Sequence, residues 1–147
     1  MGGLMSLQQT LAVLKDMSLF QRVADPRLRV IALMGDKIGL RPGERLAEKG
    51  DEGDAAFVIL EGRLEIRIPG DEGEVTVAFL GRGEIAGEMA VFTDRPRSAA
   101  MVAATETELL RLDRAVLLSL LIEFPDFALE MIRVMADRLE ATTVRTL

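Results

Sequence analysis

The period of the hydrophobic pattern changes twice along this chain, and that change restricts the fold more than any single residue does. From Leu4 to Phe20 the apolar residues Leu4, Leu7, Leu11, Leu14 and Met17 recur every three or four positions, which is one face of a helix. The stretch "DPRLRVIALMG" (25–35) predicts a second, short helix, with Asp25 as its cap, Pro26 in its first turn and Gly35 at its end. From Ile38 to about Leu112 short apolar runs alternate with glycine turns instead. "FVILEG" and "RLEIRI" read as two strands joined at Glu61-Gly62, the second alternating charged with aliphatic residues as a half-exposed strand does. "PGDEGE" reads as a polar hairpin turn. After Leu112 the helical period returns in "DRAVLLSLLIEF", starting near Asp113, and in "PDFALEMIRVMADRLEATTVRTL", with Pro125 in the first turn. The expected fold class is α+β: an antiparallel β-roll, a jelly-roll barrel, flanked by N-terminal and C-terminal helices. With 147 residues this is one domain: helices in 1–36, the roll in 37–112 and helices in 113–147.

Composition decides what such a fold can do. Hydrophobic residues make up 49% of the chain, enough for a core. There is no Cys, which excludes disulfides, thiolate metal sites and iron–sulfur clusters. There is no His, which excludes histidine metal sites, histidine-ligated haem and the usual hydrolase triads. An enzyme on a jelly-roll scaffold, such as a cupin, would need histidine ligands, so the reading is a binding module and not an enzyme, with no cofactor and no metal. The acids at 50–54 and 70–74 lack the regular spacing of a calcium loop. A net charge of −6 argues against direct nucleic-acid contact by this chain and against an anionic membrane surface as partner. No apolar run approaches the roughly 20 residues of a spanning helix, and "MGGLMSLQQ" does not resemble a secretory signal. The expectation is a soluble, cytoplasmic protein.

The stretch most able to carry function is 83–103, "GEIAGEMAVFTDRPRSAAMVA". Gly87 permits a tight turn, and "GEMAVF" predicts one helical turn with free backbone N–H groups. Arg97 offers a planar fork of donors to two phosphate oxygens, with the Ser98 hydroxyl beside it. Ionised Glu88 only accepts, so it calls for hydroxyl or N–H donors. These groups suit a singly charged phosphodiester next to a ribose hydroxyl, with Ile85, Met89, Ala99, Ala100 and Val102 keeping water out.

The same residues resemble the phosphate-binding cassette of the cyclic nucleotide-binding domain family, which includes catabolite-activator proteins and protein kinase regulatory subunits. That cassette runs Gly-Glu-x-Ala-aliphatic, a spacer, then Pro-Arg-x-Ala, matched here by "GEMAV" (87–91), "FTDR" and "PRSA" (96–99). Upstream, "GDEGDAAFVILEGRLEI" (50–66) resembles the family's strand pair, with Gly53, Asp54, Phe57, Ile59 and Gly62 as scaffold positions. The aromatic that the family often places before Gly-Glu is Ala86 here. The resemblance implies that Glu88 accepts the ribose 2′-hydroxyl and Arg97 pairs with the cyclic phosphate. Gly87, Ala90 and Ser98 would add contacts around ribose and phosphate, and Met89 and Ala99 complete the ligand-binding set. "MADRLEATTVRTL" (135–147) is similar to the dimer helix of catabolite-activator proteins, which implies that Thr142 and Thr143 touch the base.

The ligand expected from the resemblance is a cyclic nucleoside monophosphate, cyclic AMP favoured over cyclic GMP because of the hydroxyl pair Thr142–Thr143. Leu129, Ile132, Ala136, Leu139 and Thr143, spaced 3-4-3-4, form a seam that is either a homodimer interface or a face packed on the chain's own barrel. The alternatives are the sensor half of a transcription regulator without its helix-turn-helix domain, or a degenerate dimerising module. The effector is not legible. Structural readings compete at single residues: Glu88 and Arg97 as an ion pair on a barrel edge, Glu84 as a turn acid, and Met89, Met131 and Met135 as packing residues.

Overall fold

The computed structural model describes residues 4–146, with side chains as far as Glu140. Eight antiparallel strands form two four-stranded sheets. The first runs in the order β1 (Asp36–Leu40), β8 (Thr107–Asp113), β3 (Ala55–Glu61), β6 (Ile85–Ala86). The second runs β2 (Arg45–Ala47), β7 (Ala100–Ala103), β4 (Arg63–Gly70), β5 (Gly73–Gly81). The two sheets do not join into a closed barrel, so the roll is a pair of layers. The hairpin between β4 and β5 turns at Asp71-Glu72, with Gly70 opposite Gly73.

The sheets face each other across an inner core to which Leu40, Ala55, Phe57, Ile59, Met101 and Leu109 contribute. The other face of the first sheet carries the helices. Ala56, Val58, Leu60, Leu110 and Leu112 meet Leu14, Phe20, Leu28, Leu117 and Phe127 there. Strand β3 therefore has no polar face. Ala55, Phe57 and Ile59 point to one core, Ala56, Val58 and Leu60 to the other, and all six are buried. This explains its unbroken apolar run, since burial on both faces removes the polar alternation of a half-exposed strand. Each fully buried large aliphatic or aromatic side chain contributes about 1.5–3 kcal/mol, so β3 anchors both layers.

The helices differ in detail from their sequence signals. The first periodic segment is not one helix to Phe20: α1 (Leu7–Asp16) ends at Met17, and a separate 3-10 turn follows at Ser18–Phe20. Ser6 caps α1 through a reciprocal pair with Gln9, which stops the helix from starting at Leu4. In α2 (Asp25–Met34) the cap is Ala24, which supplies no side-chain bond, while Asp25 lies in the first turn and Gly35 ends the helix. Pro26 at the N-terminus fixes that boundary. Asp113 caps α4 (Arg114–Glu123) by accepting from the Val116 amide, and α5 (Pro125–Thr146) follows. α5 docks by Phe127 and Met131, and the Phe127 ring lies 5.5 Å from that of Phe20. The opposite ridge, Leu129, Ile132, Ala136 and Leu139, is exposed. As far as Leu139 the seam is thus not packed on the chain's own sheets, and the Thr143 side chain lies outside the described residues.

Candidate functional site

Three segments converge between the end of β6 and the start of β7. Strand β6 pairs with β3, setting Phe57 opposite Ala86 and Val58 opposite Ile85. The chain then turns at Gly87, where φ is +79°, a conformation costly for residues with a Cβ. It enters α3 (Glu88–Thr93) and leaves it at Asp94, also left-handed, whose carboxylate accepts from Arg114 at 3.0 Å. The segment back to β7 is fixed by backbone bonds: Arg97 donates to the Asp51 carbonyl and accepts from the Gly50 amide, both at 2.8 Å.

Gly53 shows how closely these parts meet. A Cβ there would lie 2.1 Å from the Cβ of Ala90, so the small side chains of both are needed for α3 to rest on the β2–β3 loop. Ala90 is thereby a packing position as well as a member of the cassette.

Arg97 is 7% exposed. Its Nη2 donates to the Ala55 carbonyl at 2.7 Å and its Nη1 to the Gly87 carbonyl at 3.3 Å. No carboxylate among the described residues forms an ion pair with it. Burial pushes its pKa below the ordinary arginine value; Asp54 and Asp51, acting at a distance, work in the opposite direction. Asp54 itself is engaged by Arg111 at 3.3 Å. A guanidinium buried without a counter-ion is unfavourable in isolation, and its charge remains available to an incoming anion.

Glu88 is 2% exposed and does not pair with Arg97. Its Oε1 accepts from Arg138 of α5, which also donates to the Ile85 carbonyl. Oε2 takes no donor among the described residues, so the carboxylate keeps one oxygen for a hydroxyl. The barrel-edge ion pair of Glu88 with Arg97 is therefore not formed; each charge belongs to a different contact. Arg138 was not singled out from the sequence, where it reads as one more charge on a helix that is Arg- and Glu-rich throughout. Its place at the end of the 4-3-4 series Phe127, Met131, Val134, Arg138, the inward ridge of α5, is the signal that would have found it.

The remaining positions divide. Ala99 is half-buried, and Ser98 is exposed next to Arg97. Met89 is 53% exposed and does not seal the cassette against water, because it lies on the outward side of α3. Ile85, Ala100 and Val102 are buried. Met131 is in the core and Met135 packs against it. Glu84 accepts from the Gly81 amide at 3.3 Å, closing the turn before β6. Thr142 and Thr143 lie on the last turns of α5, and their side chains fall outside the described residues. Among the described residues there is no acid cluster able to hold a metal ion, and no helix is long and apolar enough to cross a membrane.

The family description "Cyclic nucleotide-binding domain" matches residues 37–124. The chain is 35% identical over 98 residues to "Lysophospholipase nte1" of Aspergillus oryzae, a match covering 66% of this chain and 6% of that protein. It is 41% identical over 61 residues to the "cAMP-dependent protein kinase type II regulatory subunit" of Drosophila melanogaster, covering 42% of this chain and 16% of that one. The chain thus spans a small part of the length of these curated relatives. Among solved structures, the Catabolite Activator Protein of Thermus thermophilus superposes with a TM-score of 0.76 at 29% identity, covering 88% of this chain and 61% of that chain.

Proposed function

The chain belongs to the cyclic nucleotide-binding domain family, and from that premise we propose that it senses a cyclic nucleoside monophosphate, cyclic AMP in preference to cyclic GMP. The family's domain is a regulatory module and not a catalytic one. The observation that carries the proposal is the state of the two buried charges: among the described residues Arg97 has no carboxylate paired with it, and Glu88 has one carboxylate oxygen uncommitted. An anion bearing an adjacent hydroxyl satisfies both. The cyclic phosphate meets the Arg97 fork with Ser98 beside it, and the ribose 2′-hydroxyl donates to Glu88 while Arg138 holds the other oxygen. Gly87, Ala90 and Ala99 shape the cradle around them. Support for cyclic AMP comes from the similarity to the cAMP-dependent protein kinase regulatory subunit and from the hydroxyl pair Thr142–Thr143.

The exposed ridge of Leu129, Ile132, Ala136 and Leu139 supports a homodimer formed along α5. The ligand then acts through Arg138, the residue that ties α5 to the cassette, and the effector is a separate partner or a further part of a longer protein. The net charge of −6 supports a module that does not itself contact nucleic acid. Calorimetric titration with cyclic AMP and cyclic GMP tests the proposal. Saturable binding that is lost in Arg97→Ala and weakened in Glu88→Gln is expected; no heat from either nucleotide at millimolar concentration overturns it.

A further inference from the structure

Strand β3 gives Arg97 two neighbours of different kinds. The Ala55 carbonyl accepts from Nη2, and two residues on, the Phe57 ring lies against the guanidinium with its centroid 5.4 Å from Cζ. Ala55 and Phe57 alternate with the buried helix-side residues and so share the inner face of β3. Phe57 is 6% exposed and sits opposite Ala86, one residue before Gly87, whose carbonyl accepts from Nη1. Among the described residues the guanidinium thus donates to two carbonyls and lies against a ring, and no carboxylate forms an ion pair with it. Where a carboxylate would neutralise the cation, an aromatic face attracts it through its quadrupole and leaves its charge in place. The ring also offers no acceptor for a phosphate to displace.

We infer that Phe57 is a positioning residue for Arg97, its ring holding the guanidinium fork oriented and fully charged for the anion. The inference rests on the reading of this cassette as a cyclic phosphate site. It changes the part Phe57 plays, since as a scaffold position it could be any large apolar residue, whereas only an aromatic presents a π face. A pre-set fork binds an anion more tightly because less side-chain freedom is lost on binding.

Fluorination separates the two parts, because it drains the ring quadrupole while barely changing its size. Phenylalanine carrying one, two or three fluorines is placed at position 57, and cyclic AMP affinity and melting temperature are measured for each. The expected result is a stepwise loss reaching about fivefold with three fluorines, at constant melting temperature, with Phe57→Tyr close to the unsubstituted protein. Affinity that does not depend on fluorine number overturns the inference. If the unsubstituted protein binds no cyclic nucleotide, the proposed function fails separately, and the positioning contact is decided on the free protein by nuclear magnetic resonance. There the Arg97 side-chain N–H signals are expected to be shifted upfield by the ring and to return to ordinary positions in Phe57→Leu. Signals at the same place in both proteins overturn it.

Discussion

At Gly87 the absence of a Cβ leaves the space that the Arg97 guanidinium occupies. A Cβ built there would stand 2.5 Å from Nη1 of Arg97. The colliding atom is the far end of a flexible side chain, so the fold can yield, but the part that yields is the guanidinium proposed to meet the phosphate. The left-handed backbone adds about 1 kcal/mol of strain for a residue with a Cβ. Gly87→Ala is therefore expected to lower stability by about 1–2 kcal/mol and ligand affinity by about tenfold or more. Denaturant melts beside calorimetric titration would check both. Arg97 itself separates affinity from stability more cleanly. Its two carbonyl contacts are modest, while a bidentate phosphate pair adds about 1.5–3 kcal/mol per charge-assisted bond. Arg97→Ala is expected to lower affinity by about 100-fold or more with a melting temperature within a few degrees of the parent. Arg97→Lys keeps the charge without the fork and should fall between the two. A lysine variant as weak as alanine would show that charge alone contributes little.

Single elements show a different balance between packing and polarity. Thr10 of α1 is fully buried, and its hydroxyl has no hydrogen-bond partner among the described residues. A buried orphan hydroxyl is destabilising by about 1 kcal/mol or more, and valine has nearly the same shape. Thr10→Val is expected to raise unfolding stability by about 1 kcal/mol in urea titration. On the outer face of the second sheet, polar groups are paired instead. The Thr76 hydroxyl and then Arg67 hold the Glu65 carboxyl below the ordinary 4.5, and Arg45 does the same for Glu74. A carboxyl whose folded-state pKa is depressed stabilises the fold fully above its unfolded value and loses that contribution as pH falls through the folded one. Stability measured against pH should therefore decline below about 4.5, and Arg45→Met should make that limb shallower. These elements also show what a sequence can disclose. The strand pair joined at Glu61-Gly62, the Asp113 cap and Pro125 at the start of α5 were all legible, because each depends on a local preference for a turn, cap or backbone angle. The end of α1 was not, since the periodic signal continues through Met17 while the chain turns at Ser18 to bring Leu19 and Phe20 into the core. In the cassette the residue types were legible, but not which charge meets which. That depends on α5 crossing back over β6 and delivering Arg138, a contact spanning fifty positions in sequence.

In the whole molecule α5 has one side against the cassette and the other in solvent. Its inward ridge enters the core through Phe127 and Met131 and reaches Glu88 through Arg138; its outward ridge presents Leu129, Ile132, Ala136 and Leu139 to solvent. A helix held on one side by the cassette and on the other by a second copy makes binding and dimerisation energetically linked. Linkage is reciprocal, so a ligand that tightens the dimer by some factor is bound more tightly by the dimer by the same factor. Couplings of this kind are typically about 1–3 kcal/mol, a change of about 5- to 150-fold. Ile132→Arg is expected to give a monomer in sedimentation equilibrium with its melting temperature little changed, because Ile132 is 58% exposed. That monomer should bind cyclic AMP more weakly by the coupling factor. Arg138→Met should do the converse: dimerisation is kept, since Arg138 lies on the inward side, but the ligand no longer changes the dimerisation constant. Ligand affinity falls as well in that variant, because the buried Glu88 carboxylate loses its only ionic partner among the described residues. Dimerisation constants measured with and without cyclic AMP for the parent and both variants close the cycle. An Arg138→Met protein whose dimer still tightens on adding ligand would show that the cassette signals to α5 by another route.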